Sequence, residues 1–177
     1  APVGLDALAA HFVELGYVEG GTYRFEAKRL RAKHFEPPEG ALPAVFLSEL
    51  VTDGFSPALR RRVEAMVAGI DPAAVARPDF LYSGTHWSIA YAEYEALREE
   101  SEYAAWMAAF GYCANHFTIS VNHLRGYDSL EAVNRVLKNH GVRLNTAGGE
   151  IKGSPEALLE QSSTLADRHA IAFRDRT

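Results

Sequence analysis

One cysteine in 177 residues, Cys113, excludes an internal disulfide framework and fits a reducing compartment. No apolar run approaches the ~20 residues that span a bilayer, and no basic-then-apolar leader opens the chain, so it reads as a cytoplasmic protein. Long runs of one charge sign are also missing. The net charge of −5 (18 Lys+Arg, 23 Asp+Glu) argues against both a nucleic-acid groove and an anionic membrane surface as partner. The basic clusters Lys28 to Lys33 and Arg60 to Arg62 read as a solvated strand edge and a helix face. The glycine-rich stretch Asn145 to Glu156 lacks the spacing of a P-loop, and no helix follows a Gly-Lys-Ser/Thr, which argues against a phosphate cradle. A hydrophobic share of 47% is enough to bury a core in one domain or two small fused ones.

Leu5, Leu8, Phe12 and Leu15 recur at helical spacing, and Gly16 stands where a glycine stop belongs. Tyr23 to Ala27, Leu30 to Glu36 and Ala44 to Val51 read as strands, with a turn at Pro37-Pro38-Glu39-Gly40. The third strand is apolar enough to be central, yet it carries Glu49. That carboxylate is either paired or at an edge, or it points into a functional cavity. From Gly54 to Gly111 the pattern turns helical. Ser56-Pro57 and Asp71-Pro72 are cap-plus-proline starts, and Tyr91 to Phe110 has helical periodicity. His86, in Ser83-Gly84-Thr85-His86-Trp87, reads as a loop histidine.

Tyr112 to Leu124 alternates as a strand does. From Asn115 it sends His116, Thr118 and Ser120 to one face, and Phe117, Ile119 and Val121 to the other. The polar face belongs either to solvent or to a wet cavity in which His116 is a metal ligand. Asp128 and Glu131 then suggest a capping box for a helix through His140, with Gly141 as its stop. Leu158 to Leu165 and His169 to Phe173 read as two more strands.

The two amphipathic helices superimpose without a gap. Leu5-Asp6-Ala7-Leu8 matches Leu130-Glu131-Ala132-Val133, Phe12 matches Leu137, and Gly16-Tyr17 matches Gly141-Val142. With the strands around them, this suggests two copies of a βαβββ unit, the first without its opening strand and the second without its last. The chain also opens on Ala1-Pro2-Val3 without an initiator methionine, so both ends read as cut. Paired βαβββ units are the architecture of vicinal oxygen chelate proteins, in which curled sheets enclose a metal cavity. The expected fold is therefore α+β: a first module at residues 1–52, a helical insertion at 53–112 and a second module at 113–177. On this plan His116 lies on an opening strand, and Glu49 is the pseudo-equivalent carboxylate on a closing strand.

Several segments resemble the 2-oxoadipate dioxygenase/decarboxylase family. They are Phe46-Leu47-Ser48-Glu49-Leu50, Glu100-Ser101-Glu102-Tyr103-Ala104-Ala105-Trp106, Ala114-Asn115-His116-Phe117-Thr118, and Gly148-Gly149-Glu150-Ile151-Lys152-Gly153-Ser154-Pro155-Glu156 running on to Leu159-Glu160-Gln161-Ser162-Ser163-Thr164. The resemblance implies a non-haem Fe(II) centre held by two histidines and a glutamate. It also implies conversion of 2-oxoadipate and dioxygen to 2-hydroxyglutarate and carbon dioxide in lysine breakdown. His116 matches the second metal histidine. The first histidine, an arginine four residues after it, and the glutamate have no counterpart, so the chain alone is expected to be inactive. Lys152, Gln161 and Thr118 are the candidate substrate contacts, and His169 reads as structural. Two alternatives stay open: a metal-free small-molecule-binding protein, and a metal-dependent isomerase or lyase on the same scaffold.

Overall fold

A computed structural model describes residues 3–38, 42–156 and 158–176. Two compact units emerge, residues 1–115 together with 171–177, and residues 116–170. Among the described residues no helix is long and apolar enough to cross a membrane.

The first unit opens with α1 (Leu5–Glu14), then β1 (Val18–Phe25), β2 (Leu30–Glu36) and β3 (Val45–Leu50), an antiparallel sheet in the order β1-β2-β3. The middle strand is therefore β2, whereas composition had pointed to the third strand. Burial explains this: Leu30, Ala32 and Phe35 of β2 are all buried, and β3 keeps Phe46 exposed. The first strand starts at Val18, earlier than the expected Tyr23. The pairing slips between Glu19 and Gly21, and a β-carbon on Gly20 would stand 2.2 Å from His34 Nε2. Two glycines thus let an irregular strand run on where β propensity is low. Of the expected turn after β2, Glu39 and Gly40 lie outside the described residues.

Register fixes which residues share a face. Tyr23 opposes Ala32, which opposes Ser48; Arg31 opposes Glu49; His34 opposes Phe46. On one face Ala9 and Tyr17 bury Phe35, flanked by Phe12, Val45 and Leu47, so this is the face that α1 covers. The other carries Tyr23, Phe25, His34 and Phe46, with Tyr23 5.7 Å from both His34 and Phe46, ring centre to ring centre.

Helices follow as the caps predict. In α2 (Pro57–Ala68) the Ser56 hydroxyl accepts from Leu59 N–H, and in α3 (Pro72–Val75) the Asp71 carboxylate accepts from Ala73 N–H. The expected run from Tyr91 to Phe110 is split into α4 (Tyr91–Glu100) and α5 (Glu102–Phe110) by Ser101, whose hydroxyl caps α5 at Ala104 N–H. Leu59, Met66, Ile89, Leu97, Ala104 and Ala108 form the core here. Residues 171–176 return to this unit without forming the strand that the alternation of 169–173 suggested. Phe173 packs on Tyr91 and Tyr94, the Arg174 amide donates to the Ile89 carbonyl, and the Asp175 carboxylate accepts from Tyr91 N–H. Aromatic contacts and a helix-end bond take the place of a ladder.

In the second unit α6 (Leu130–Asn139) is capped by Ser129, whose hydroxyl accepts from Ala132 N–H; the cap is thus one residue later than the expected Asp128. Two short strands, β4 (Lys152–Ser154) and β5 (Leu159–Gln161), form an antiparallel hairpin, and Leu144 bridges Thr164. The single strand expected over 158–165 is thus reduced to three hairpin residues and one bridge. The strand expected from Asn115 is absent. Residues 116–120 have no regular structure and Val121–His123 makes a 3₁₀ turn. Alternation supplies two faces, but an extended backbone also needs a ladder partner. None of the described strands pairs with this segment, and Phe117 (91%) and Ile119 (72%) stay exposed.

The helix repeat is visible in the backbone. Tyr17 N–H donates to Phe12 O at 3.0 Å, and Val142 N–H donates to Leu137 O at 3.0 Å, the same closing bond at matched positions. Gly16 and Gly141 adopt φ +86° and +79°, as a glycine stop requires.

Candidate functional site

The motif from Gly148 to Glu156 builds a scaffold in the second unit. Gly148 and Gly149 take φ of +75° and +103°, which turns the chain so that Glu150 faces α6. There Lys138 Nζ donates to both Glu150 oxygens at 3.0 Å, and Asn134 Nδ2 donates to Oε1 at 3.2 Å. The Ser162 hydroxyl, one residue past β5, donates to Asn134 Oδ1 at 2.6 Å. Asn134 is only 1% exposed, so both ends of its amide are satisfied by the hairpin it holds. The loop, the helix and the residue after β5 are thereby tied at one point.

This anchoring positions β4 and β5, where Lys152 lies directly opposite Gln161. Cross-strand neighbours share a face. An ammonium and a carboxamide side by side can together bind a carboxylate, one through charge and both through N–H donors. Lys138 is already spent on Glu150, and among the described residues Lys152 makes no ion pair. Gly153 makes the hairpin possible: at φ +91° a β-carbon there would stand 2.0 Å from the Leu159 carbonyl oxygen.

The other expected site residues are placed differently. His116 and Thr118 are exposed in the irregular segment of the same unit. Glu49 belongs to the first unit, on the α1-covered face, where it takes a 2.5 Å hydrogen bond from Arg31 Nε and its Oε1 lies 3.1 Å from the place of a Gly4 β-carbon. Among the described residues no three His, Cys, Asp or Glu side chains are grouped closely enough to hold a metal. His169 is exposed and outside any strand. His86 lies 2.7 Å from Ser83 Oγ, but that hydroxyl donates to the Phe80 carbonyl, so the pair braces a loop and does not activate a nucleophile. Partial burial raises the Cys113 thiol above its usual range, which disfavours the thiolate that ligation or attack would need.

The residues that sequence reasoning missed are Asn134, Lys138, Glu150 and Ser162. A signal was available for the first: Asn134 falls on the stripe formed by Leu130, Val133 and Leu137, where an amide must find internal partners.

A sequence model of the 2-oxoadipate dioxygenase/decarboxylase family matches residues 74–177. The chloroplastic 2-oxoadipate dioxygenase/decarboxylase of Arabidopsis thaliana is 38% identical over 97% of this chain and 50% of its own length. The chain thus spans about half the length of the curated relatives it matches. Among solved structures, the Oryza sativa hydroxyglutarate synthase in complex with 2-oxoadipate is 34% identical, with TM-score 0.85, over 99% of this chain and 61% of that one. A Shewanella frigidimarina protein, named only in general terms as a hydrolase, is 51% identical with TM-score 0.95 over 98% of this chain and 68% of that one. A glyoxalase superfamily protein from Ralstonia eutropha, 19% identical, shares the fold at TM-score 0.72 over 93% of this chain and 57% of that one.

Proposed function

Because the chain belongs to the 2-oxoadipate dioxygenase/decarboxylase family, we propose that it forms part of an enzyme converting 2-oxoadipate and dioxygen to 2-hydroxyglutarate and carbon dioxide, within lysine breakdown. The reaction balances: one carboxyl group leaves as carbon dioxide, dioxygen brings in as many oxygen atoms as carbon dioxide carries away, and the product keeps the oxygen count of the starting acid. The observation that carries the reading is the Lys152–Gln161 pair on a hairpin built by the family's glycine-rich motif, together with a relative whose structure holds 2-oxoadipate.

The chain's own part is recognition. Lys152 and Gln161 take one carboxylate of the acid, Thr118 offers a hydroxyl to it, and the Asn134–Glu150–Lys138 anchor keeps the hairpin from yielding. Fe(II) is the proposed cofactor, with His116 giving one imidazole; bound in full, it would supply the dioxygen chemistry. The described residues do not make a complete ligand set, so donors besides His116 are required. Glu49, already paired with Arg31 beneath α1, is assigned to the sheet and not to the metal. The proposed layout keeps a first βαβββ module lacking its first strand at residues 1–52, a helical insertion at 53–112 and a second module lacking its last strand at 113–177, supported by the matched closing bonds of α1 and α6. Cytoplasmic residence is likewise a proposal, beside relatives whose names place them in chloroplasts.

Oxygen uptake with 2-oxoadipate and Fe(II), measured in the protein that carries this chain, tests the reading. Lys152→Ala should raise KM about tenfold with kcat largely kept, the loss expected for one charge-assisted contact. His116→Ala should abolish bound iron; unchanged iron content removes His116 from the centre. Turnover without oxygen uptake would sink the dioxygenase and favour an isomerase or lyase. The lack of a three-donor group among the described residues favours one second reading, a metal-free small-molecule-binding protein. Saturable 2-oxoadipate binding by metal-stripped protein, with no iron uptake, would establish it.

A further inference from the structure

A trough of about 520 Å³ runs along α2 in the first unit, between that helix and the segment from His86 to Ile89. Its shape comes from small residues on one helix face: Ala58, Ala65 and Gly69 line it, and a β-carbon on Gly69 would meet nothing within 4 Å. Its floor is apolar, formed by Met66, Ile89 and Leu97 with Trp87 beside them, and the Trp87 indole is fixed by donating from Nε1 to the Ala108 carbonyl at 3.0 Å. The rim is cationic. Arg61, Arg62 and Arg174 line the trough, against a single carboxylate, Glu93.

That carboxylate is already committed. Glu93 Oε2 accepts from Ala90 N–H at 2.7 Å and from Arg174 at 3.2 Å. Among the described residues neither Arg61 nor Arg62 has a carboxylate within ion-pair distance. In a chain of net charge −5, a cationic rim above an apolar floor is a local inversion of the overall balance. The volume falls within the usual range for small-ligand sites, ~300–1,000 Å³. Guanidinium forks match carboxylate oxygens in pairs, and an apolar floor rewards a ligand with a hydrocarbon body.

We infer that this trough is a binding site for a small organic anion with an apolar body, a carboxylate on an aliphatic chain, its charge met by Arg61 and Arg62 and its body lying over Trp87 and Met66. Every residue lining it belongs to the first unit, so it shares no residue with the hairpin or with the His116 segment.

The test is Trp87 fluorescence in the whole chain, titrated with octanoate and, in parallel, with 1-octanol. Octanoate should change the emission saturably, and 1-octanol, which has the same body without the charge, should bind at least about tenfold more weakly. A Trp87→Phe variant should lose the signal, which separates it from Trp106. The double variant Arg61→Glu/Arg62→Glu should weaken octanoate about tenfold or more and leave 1-octanol unchanged. Because both arginines are at the surface of α2, the variant should keep its helical circular dichroism, and Ala65→Phe provides a second, charge-neutral block. No saturable signal in the unaltered chain, equal binding of the alcohol, or full octanoate affinity in both variants would each overturn the assignment.

Discussion

Tyr112 is buried beneath Phe80 and Trp87, and loss of solvent, followed by the nearby Glu49 charge, pushes its phenol up to about 12. The unfolded phenol titrates near 10. Between these values the unfolded chain releases a proton that the folded chain keeps, so stability is intact below pH ~10 and is lost as pH rises toward 12. Tyr112→Phe should flatten that alkaline decline, read as denaturant midpoints from about one pH unit below the unfolded pKa up to the folded one. Asn134 makes a second case. Asn134→Ala would leave the Ser162 hydroxyl without its acceptor and Glu150 Oε1 with Lys138 as its remaining donor, at a cost of about 2 kcal/mol. Hydrogen exchange at Asn145 and Leu165, whose amides bond to Ser163 and Arg143, should report the loss. At this scale the sequence was legible where chemistry is local. Ser56, Asp71, Gly16 and Gly141 all sit where their capping roles require. Long-range partners such as Asn134 with Ser162 were hidden, because only the fold brings them together.

Among the elements, helices were read more faithfully than strands, for a physical reason. A helix satisfies its own backbone, so α1, α2 and α6 follow from periodicity and caps alone. A strand depends on a neighbour that periodicity does not name. Leu30 to Glu36 matched because two partners flank it, while the segment from Asn115 alternates just as well and forms no strand. The hairpin of β4 and β5 rests on Gly153. Gly153→Ala should cost at least about 3 kcal/mol and erase exchange protection across the hairpin, since the conformation is left-handed and the Leu159 carbonyl blocks the β-carbon. Gly126→Ala is the matched control. Its φ of +84° is similar but its surroundings are open, so the cost should be only about 1 kcal/mol. Comparing the two denaturation midpoints separates backbone strain from steric exclusion.

For the whole molecule, the family was legible in the glycine-rich motif and the His116 segment, because both are contiguous in sequence. The division into units was less so, since composition shifts suggested three consecutive blocks while the contacts join residues 171–177 to residues 1–115. Phe173 is the main apolar tie. Phe173→Ala should lower the stability of the first unit by about 2 kcal/mol, seen as an earlier loss of near-ultraviolet aromatic dichroism from Tyr91 and Tyr94. The same tie bears on synthesis. A ribosome releases residues 116–170 before it releases Phe173 and Asp175, so the first unit waits, open at the start of α4, while the second is free to fold. The Tyr91–Asp175 bond joins residues 84 positions apart, a long-range closure in a chain otherwise rich in local helix. Until Phe173 arrives, the Tyr91 and Tyr94 rings lack its cover, and the nascent chain offers chaperones an aromatic patch that Phe173 later covers in part.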